Sequence, residues 1–392
     1  MLDCEQLYKF NNQGKNVAVV LAGNAGALAV IRNLGKNNVP VLAIGKNNFI
    51  LKSKYCKGVR INDNKDIINI LLKLPKYFNK KIVILTDKDE YMDLICDNWD
   101  ILRDYYLTPI GDNLDSYKKL TTKSLLQENA LKSGLNVPKT YRGKDQFAIK
   151  DFPVLVKPLN KDKFSEIYSK KAVRCNNYKE LKKTLNIMNK FGGSVTQEII
   201  EGSTDNLYCI TLYRNKYGRI ILGNVVSKVR EFPTMYGTGT THLACYNDEI
   251  VEKSISLLNN TDFVGVAMIE YKYCHKEKKF YIIEVNGRFP LEISINDSIG
   301  NDFIYKVYLD IINPKQSDSN NVPYKLPNKP IIWMILSNDL RACISNKINF
   351  IKEYTNYMRN YIIEFAIWDK NDILPCIYYL GYLLKKFFTS IL

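Results

Sequence analysis

The chain has 392 residues and a mass of 45.3 kDa, and a chain of this length is expected to form roughly two or three domains. Apolar residues make up 46% of it and charged residues 24%, proportions that exclude a disordered or fibrous protein. Its 56 lysines and arginines exceed its 40 acidic residues by 16. Such a surplus indicates a polyanionic partner: nucleic acid, nucleotide phosphates, an acidic glycan or an anionic membrane surface. A coding bias toward lysine explains the same surplus without a partner.

Cysteine and histidine usage limits the chemistry that the chain can perform. The nine cysteines are scattered singly, which argues against a disulfide framework or a zinc knuckle and favours a reducing cytoplasm. The N-terminal residues lack the layout of a signal peptide, and no apolar run reaches the roughly 18 residues of a spanning helix. Because His242 and His275 are the only histidines, we expect the chemistry to depend on carboxylates, lysines and arginines.

Short apolar runs alternate with helical patterns in the first part of the chain. Strands are predicted at residues 17–21, 39–44 and 81–85, with helices from residue 27 to Leu34 and around residues 67–74. This alternation predicts a parallel sheet covered by helices. The turn at residues 23–26 is not a full G-x-G-x-x-G motif, so a tight turn without a ligand is preferred to a dinucleotide site.

The pattern changes from Tyr117 onward. A helix is predicted over residues 118–133, a strand over 152–158, a lysine-rich loop after it, a helix over 178–188 and a strand over 194–200. Alternating residues then predict antiparallel strands at 208–213, 219–226, 264–273 and 279–285. Prolines and small polar residues at 313–330 indicate a linker, and residues 331–392 are expected to form a small appendage.

The strongest group of candidate site residues is Glu270 with Glu284, Asn286 and Arg288. Alternate residues of a strand face the same side, and Glu270 lies beside Glu284 if their two strands pair. Two carboxylates and an amide oxygen suit Mg²⁺, which retains waters and takes phosphate oxygens. Arg288 would then stabilise charge on a transferred phosphoryl group. The alternative is an exposed polar strand with a Glu284–Arg288 surface ion pair.

Further candidates precede this group in the chain. Lys157 ends an apolar strand, where a lysine can reach phosphate, and Lys171 can approach from a facing strand. For each lysine the alternative is a side chain that is merely paired or extended to solvent. Residues 197–202 form a strand that ends in acceptors and a glycine, an edge that can bind an adenine amino group and ribose hydroxyls.

The order of these motifs resembles the ATP-grasp ligases over roughly residues 15–310. The matching pieces are Lys123 on a helix, the segment at 134–140, Val-Leu-Val-Lys-Pro at 154–158, Gln-Glu-Ile-Ile-Glu-Gly at 197–202, and Glu270 followed by Glu-x-Asn-x-Arg. The resemblance implies an α/β (α+β) fold. It divides the chain into a Rossmann-like domain at 1–113, an ATP-grasp domain at 114–312, and a linker with an appendage at 313–392. The lysine-bearing lobe would cover about 145–196 and the metal-binding lobe about 197–312.

The resemblance also implies roles for individual residues. It assigns phosphate binding to Lys123, Lys157 and Lys171, adenine binding to Glu198, Ile199, Ile200 and Glu201, ribose binding to Asp205, magnesium binding to Glu270, Glu284 and Asn286, and a place near the γ-phosphate to Arg288. One departure concerns the loop over the phosphates. That loop is usually glycine-rich, whereas residues 161–166 contain no glycine.

A second signature lies at residues 228–233 and 236–242. It resembles carboxylate–amine ligases of the D-aspartate ligase type, including those of surface-polysaccharide biosynthesis, and residues 369–375 resemble their tails. Lys228 and Arg230 lie two apart on a strand and are expected to clamp a carboxylate or an acyl phosphate, with Thr238 and Gly239 in the substrate loop. The alternative is a basic edge strand with a flexible turn. His242 is interpreted as structural.

The predicted function is an ATP-dependent carboxylate–amine ligase that works through an acyl phosphate. Catalysis would use Arg288, Lys157 and Arg230, with ATP and Mg²⁺, or Mn²⁺ in its place. The expected partners are a small-molecule or glycan-linked carboxylate, such as a uronic acid or a cell-wall precursor, and an amine or amino acid. Nucleic acid and a transmembrane segment are not expected, and homo-oligomerisation is left open.

Two alternatives to this function are retained. One is a D-aspartate-ligase-like enzyme that forms peptide bonds on a peptidoglycan stem. The other is an inert nucleotide- or nucleic-acid-binding module. The apolar stretch at 374–392 is interpreted as a helix packed on the core, with peripheral membrane contact as the alternative. The predicted location is cytoplasmic.

Overall fold

The computed structural model describes residues 14–159, 161–168, 170, 172–314 and 326–389. Three sheets form the framework: a five-stranded parallel sheet, a four-stranded antiparallel sheet and a seven-stranded sheet. Lys171 and most of the predicted linker, residues 315–325, lie outside the described residues. Within the described ranges, no helix has the length and apolar content that crossing a membrane requires.

The N-terminal region contains the parallel sheet, with strand order β3-β2-β1-β4-β5. Its elements are β1 (Ala18–Ala22), α1 (Ala25–Lys36), β2 (Val41–Gly45), β3 (Lys57–Arg60), α2 (Lys65–Lys73), β4 (Ile82–Thr86), α3 (Asp89–Asp97), α4 (Trp99–Leu102) and β5 (Tyr106–Leu107). Every residue of β1, β2 and β4 is buried, which explains their continuous apolar sequences. The predicted parallel sheet is therefore confirmed.

The N-terminus of α1 is occupied by a side chain of the protein itself. Asp87 accepts hydrogen bonds from the backbone N–H groups of Gly23, Asn24 and Ala27, at 2.8, 2.7 and 3.0 Å. Rossmann domains bind a pyrophosphate at this position. Because a buried carboxylate takes that place, the glycine turn here is a structural turn, as preferred from the sequence.

The small antiparallel sheet, with order β6-β9-β7-β8, forms a separate lobe. The elements of this part are α5 (Leu114–Thr121), α6 (Lys123–Lys132), β6 (Thr140–Arg142), β7 (Val154–Pro158), α7 (Lys161–Tyr168), β8 (Val173–Cys175), α8 (Tyr178–Met188) and β9 (Ser194–Glu198). The single helix predicted over 118–133 is two helices, because the backbone of Thr122 is extended between them.

The expected lysine-rich loop after β7 is also different in the structure, where residues 161–168 form helix α7. The helix packs through Phe164, which is buried and contacts the rings of Tyr168 and Phe191 at centroid distances of 4.8 and 5.2 Å. A segment without glycine and with one apolar anchor favours this helix over an open loop.

The central sheet has the order β14-β13-β10-β11-β12-β15-β16. Its elements and their helices are β10 (Leu207–Arg214), β11 (Ile220–Phe232), β12 (Thr238–Cys245), α9 (Asp248–Asn260), β13 (Gly265–Cys274), β14 (Lys279–Asn286), α10 (Ile295–Ser298), α11 (Phe303–Ile312), β15 (Ile331–Met334), α12 (Leu336–Ser345), α13 (Phe350–Asn360), β16 (Ile362–Phe365) and α14 (Leu374–Thr389). The predicted antiparallel strands are confirmed. The tail differs from the expected appendage, since the fully buried β15 pairs with β12 and extends the main sheet.

A buried ion pair joins the C-terminal segment to the N-terminal region. Asp372 accepts a hydrogen bond from Arg32 Nε at 2.9 Å, and further ones from Ser53 Oγ and the Lys54 backbone N–H. Arg32 also donates to the carbonyl oxygen of Ile367 at 2.9 Å. The segment before α14 is thereby bound to α1 and to the loop before β3.

We expect Asp372→Asn to lower the free energy of unfolding by about 3 kcal/mol, because it leaves the Arg32 guanidinium buried without a carboxylate. Urea unfolding followed by circular dichroism measures this change. The control is Asp369→Asn, whose carboxylate lies 3.4 Å from Lys36 in a more exposed pair. That substitution is expected to cost less than about 1 kcal/mol. Equal losses in the two variants would contradict the prediction.

Candidate functional site

The two candidate metal-binding strands lie side by side at the edge of the central sheet. Glu270 on β13 is directly opposite Glu284 on β14, and Met268 is opposite Asn286. Both glutamates are half-buried and Asn286 is buried. Two carboxylates and one amide oxygen therefore lie together, a donor set that fits Mg²⁺ if phosphate and water oxygens complete its shell. No described group of three or more His, Cys, Asp or Glu residues forms a metal site by itself.

Arg288 lies beyond the end of β14 and contacts helix α3. Its Nε and Nη2 atoms lie 3.2 and 3.3 Å from the two carboxylate oxygens of Asp89. Burial lowers the pKa of Arg288, but the nearby carboxylates of Asp89, Asp87 and Glu284 outweigh burial and raise it. Arg288 thus forms an ion pair with the N-terminal region.

Gly287, between Asn286 and Arg288, allows a close approach of the Tyr117 ring. A Cβ atom at this position would lie 2.0 Å from Cε2 of Tyr117. Tyr117 is buried on α5, so the absence of a side chain at position 287 lets this helix pack against β14. The contact places α5 and the start of α6, where Lys123 lies, next to the candidate metal residues.

A cavity of about 980 Å³ opens between α3, the α5–α6 corner, the small lobe and β14. Its lining carries both signs of charge. The wall formed by α3 presents Asp89, Asp93 and Asp97, while Lys118, Lys123, Lys163 and Lys190 line the cavity from other elements and Glu284 with Asn286 line it from β14. The structure thus brings Lys123 together with two of the three candidate magnesium ligands.

The other residues predicted to bind the nucleotide lie on the small lobe and on residues 199–206, the linker between β9 and β10. Lys157 is half-buried on β7, in register with Val195 of β9. The carboxylate of Glu198 accepts a hydrogen bond from the Lys139 backbone N–H at 2.8 Å, so this side chain already joins two segments of the lobe. Ile199 and Ile200 are half-buried.

Two exposed carboxylates complete the set of residues predicted to bind the nucleotide. Glu201 and Asp205 are exposed on the linker that follows β9. The Asp205 carboxylate accepts a hydrogen bond from the Ser203 hydroxyl.

Lys272 is a candidate that the sequence-based prediction missed. It is buried on β13, two residues after Glu270 and therefore on the same face of the strand. Its ammonium group donates to the carbonyl oxygen of Ser203, in the linker predicted to bind the nucleoside. Burial, and then the charge of Lys228, lower its pKa. The alternation of Glu270 and Lys272 is the sequence signal that could have identified it.

Lys228 supports the metal-binding face from the neighbouring part of the sheet. Its buried Nζ lies 3.7 Å from Glu270 Oε1 and 3.5 Å from Glu231 Oε2. Burial opposes its positive charge, but the carboxylates of Glu270 and Glu231 raise its pKa. Lys228 is therefore a fixed cation directly beside one candidate magnesium ligand.

Arg230 does not form a clamp with Lys228, and this expectation is wrong. The register moves from Lys228 opposite His242 to Arg230 opposite Thr241, so Val229 is an extra residue in a β-bulge. Arg230 consequently faces the tail, where its Nε and Nη2 bind Asp339 at 2.8 and 2.9 Å and its Nη1 binds Glu353 at 2.8 Å. This guanidinium attaches α12 and α13 to the central sheet.

The predicted substrate loop lies next to His242. Thr238 and Gly239 begin β12, opposite Phe232 and Glu231. A Cβ atom at Gly239 would lie 2.3 Å from Cε1 of His242, so the glycine makes room for the imidazole. The ring is buried, and its Nδ1 has no hydrogen-bond partner among the described residues. This packing is consistent with the structural role inferred from the sequence.

Glu292 is a second residue that the sequence-based prediction missed. It is buried four positions after Arg288, and its Oε1 atom has no hydrogen-bond partner in the described part of the chain. Burial raises its pKa, while the charge of Arg288 partly opposes this shift. No pattern of alternation marks it, because it follows the end of the strand.

Comparisons with known proteins agree with this geometry, although no family model matches the chain. It is 21% identical over 310 residues to the D-aspartate ligase of Enterococcus faecium (strain Aus0004), covering 71% of this chain and 73% of that protein. An L-amino acid ligase from Bacillus licheniformis superposes with a TM-score of 0.60 at 16% identity, over 80% of this chain and 78% of that one. N5-carboxyaminoimidazole synthetase from Staphylococcus aureus, complexed with ADP, gives 0.62 at 15% identity, over 88% and 87%. The predicted ATP-grasp fold and the resemblance to ATP-grasp ligases are confirmed.

We expect His242 to be neutral in the folded protein at about pH 5–8, because burial and then Lys228 lower its pKa to about 3. An unfolded histidine titrates near pH 6.5, so stability is fully present above about pH 6.5 and is lost as the pH falls toward 3. Below about pH 6.5 the native protein should lose about 1.4 kcal/mol per pH unit relative to His242→Gln. Urea unfolding of both proteins at pH 7.0, 6.0 and 5.0 measures this difference. His275→Gln is the matched control, and parallel pH profiles of native protein and His242→Gln would contradict the prediction.

Proposed function

We propose that this chain, which has the ATP-grasp fold, is an ATP-dependent carboxylate–amine ligase that forms an amide through an acyl phosphate. One observation carries the proposal: Glu270 and Glu284 face each other beside Asn286, and the last two line a cavity that also contains Lys123. The similarity to a D-aspartate ligase supports the same reaction class. A module that only binds a nucleotide would have no need for this set of oxygen ligands and cations.

Magnesium fits the oxygen ligands of Glu270, Glu284 and Asn286, and Mn²⁺ can replace it at such a site. When bound, the metal would supply positive charge to the phosphate oxygens of ATP. Lys123 and Lys157 are proposed to bind the phosphates, together with Lys171, which lies outside the described residues. Glu198 at the end of β9, with Ile199, Ile200 and Glu201 after it, is proposed to receive adenine, and Asp205 the ribose.

The reaction needs positioned charges and no histidine base. An oxygen of the substrate carboxylate attacks the γ-phosphorus of ATP, the bond to the β-phosphate oxygen breaks, and ADP leaves. Arg288 lies at the end of β14, where its guanidinium can bind the transferred phosphoryl group, while Asp89 fixes its orientation. The amine then attacks the acyl carbon, loses a proton and displaces phosphate. Lys228, whose Nζ lies 3.7 Å from Glu270 Oε1, would hold this carboxylate in place.

The acidic wall of the cavity is suited to the amine substrate. Asp89, Asp93 and Asp97 recur every four residues on α3 and therefore lie on one face of the helix. Burial, and then the charges of Asp89 and Asp97, raise the pKa of Asp93. An ammonium group bound here would relieve this repulsion, in the same cavity as Lys123, Glu284 and Asn286.

The proposed acceptor is a surface-glycan uronic acid or a cell-wall precursor, and the amine is an amino acid or a small amine. The similarity to a D-aspartate ligase favours one second candidate, a peptide-bond former on a peptidoglycan stem. The location is proposed to be cytoplasmic. The eight cysteines in the described residues are free thiols, which is typical of a reducing compartment.

We expect the purified protein to release ADP and to form a hydroxamate when hydroxylamine traps the acyl phosphate of a candidate carboxylate. Glu284→Gln removes one charged metal ligand and should lower the rate on the order of 100-fold. The control is Glu252→Gln, an exposed glutamate of α9 that should retain the full rate. If the protein binds Mg-ATP but turns it over with none of the carboxylate and amine pairs tested, the proposal is contradicted. An unchanged rate in Glu284→Gln would also contradict it.

We expect Asp93→Asn to raise the KM for the amine about tenfold, since one charge-assisted hydrogen bond is lost. The KM for ATP should change much less. Initial rates with varied amine at saturating ATP, and the reverse, separate the two constants. Asp100→Asn is the control, because its side chain is 94% exposed on the neighbouring helix α4. A larger change in the KM for ATP than in the KM for the amine would show that the acidic wall has a different role.

A further inference from the structure

Helix α14 presents a row of exposed apolar side chains along one face. Ile377, Leu380 and Leu384 on the helix, with Ile373 just before its first residue, follow one another at helical spacing and are 54, 55, 60 and 38% exposed. Single exposed apolar residues are normal on a protein surface, whereas a continuous row of them marks an interaction site. We call this row the α14 stripe.

The opposite face of α14 is packed against the protein, which fixes the direction of the stripe. Tyr379 is half-buried, and its ring contacts that of Phe49 at a centroid distance of 5.0 Å. Its hydroxyl lies 2.7 Å from the hydroxyl of Ser337 on α12. The buried Asp372–Arg32 pair holds the segment that enters the helix. The α14 stripe therefore points outward because the other face is anchored.

Exposed charges around the α14 stripe are basic. Lysines exposed on α14, on the segment before it and on the adjacent loop before β3 are Lys52, Lys54, Lys370, Lys385 and Lys386. The two carboxylates in residues 368–386 point inward, since Asp372 binds Arg32 and Asp369 lies 3.4 Å from Lys36. The surface that surrounds the stripe is therefore complementary to an anionic partner.

Exposed aromatic side chains also lie on α14 and on the segment before it. Trp368, Tyr378 and Tyr382 are 50, 41 and 50% exposed. Tryptophan and tyrosine favour the boundary between lipid headgroups and acyl chains, where an apolar ring and a polar tip are both satisfied. With 16 residues, α14 is too short to span a bilayer, but its apolar face can lie in this boundary.

We propose that the α14 stripe docks on an anionic lipid bilayer, with its apolar side chains in the headgroup boundary and the surrounding lysines on the lipid phosphates. The charges argue against a second copy of this chain as the occupant. Two copies that met through this face would bring the lysine clusters of both against each other, and like charges repel. The inference is independent of the proposed ligase activity.

The test is co-sedimentation of the full chain with sucrose-loaded vesicles, compared between equal mixtures of phosphatidylglycerol with phosphatidylcholine and phosphatidylcholine alone. The protein should bind the anionic vesicles at least roughly tenfold more tightly, and added salt should weaken that binding. The double variant Ile377→Glu with Leu380→Glu should lose binding by a similar factor. Leu72→Glu, which changes an apolar residue 49% exposed on α2, is the matched control and should bind normally.

A second variant separates charge from folding. Lys385→Glu with Lys386→Glu replaces two exposed side chains, and it should weaken binding to the anionic vesicles by roughly tenfold, with thermal unfolding measured to verify that the variant is folded. Equal sedimentation of native protein and both double variants would overturn the proposal, as would equal binding to both kinds of vesicle. A lipid-free dimer that Ile377→Glu with Leu380→Glu converts to monomer would identify a second copy as the occupant and would also overturn it.

Discussion

The candidate site depends on two carboxylates that face each other on adjacent strands. Glu270 and Glu284 lie directly opposite, an arrangement that is unfavourable unless positive charge lies beside it. The protein supplies part of that charge through the buried ammonium group of Lys228. The remaining repulsion is what gives such a pair its affinity for a divalent cation. A strand pair that would be unfavourable as a bare surface is thus suited to the proposed metal site.

The N-terminal region contributes residues to the candidate site. Asp87 satisfies the N-terminus of α1, and Asp89, two residues later, binds Arg288 at the end of β14. This short segment therefore fills the N-terminus of α1 with its own carboxylate, and it also orients an arginine in the candidate active site. The same region supplies the acidic wall of the cavity through α3. Its sheet is a scaffold for α3, which lines the cavity.

Much of the fold could be predicted because the apolar patterns of the sequence indicate which residues are buried. Strands β1, β2 and β4 are apolar at every position, and the alternation in β13 and β14 identified the paired carboxylates. The bulge at Val229 could not be predicted, since one extra residue leaves no mark on composition yet turns Arg230 toward Asp339. Strand β15 was also missed, because an apolar run of four residues does not reveal which sheet edge it will pair with.

The surplus of 16 positive charges also shows the difference between what the sequence predicts and what only the structure shows. The sequence by itself indicated an anionic partner, and it predicted that Glu270, Glu284 and Asn286 share one face of a strand pair. Only the tertiary structure decided that Lys228 lies 3.7 Å from Glu270. It placed Arg288 against Asp89, which is 199 positions away, and Lys272 against the linker carbonyl of Ser203. Strand and helix periodicity is a local property of the backbone, whereas ion pairs between distant segments exist only once packing has brought those segments together.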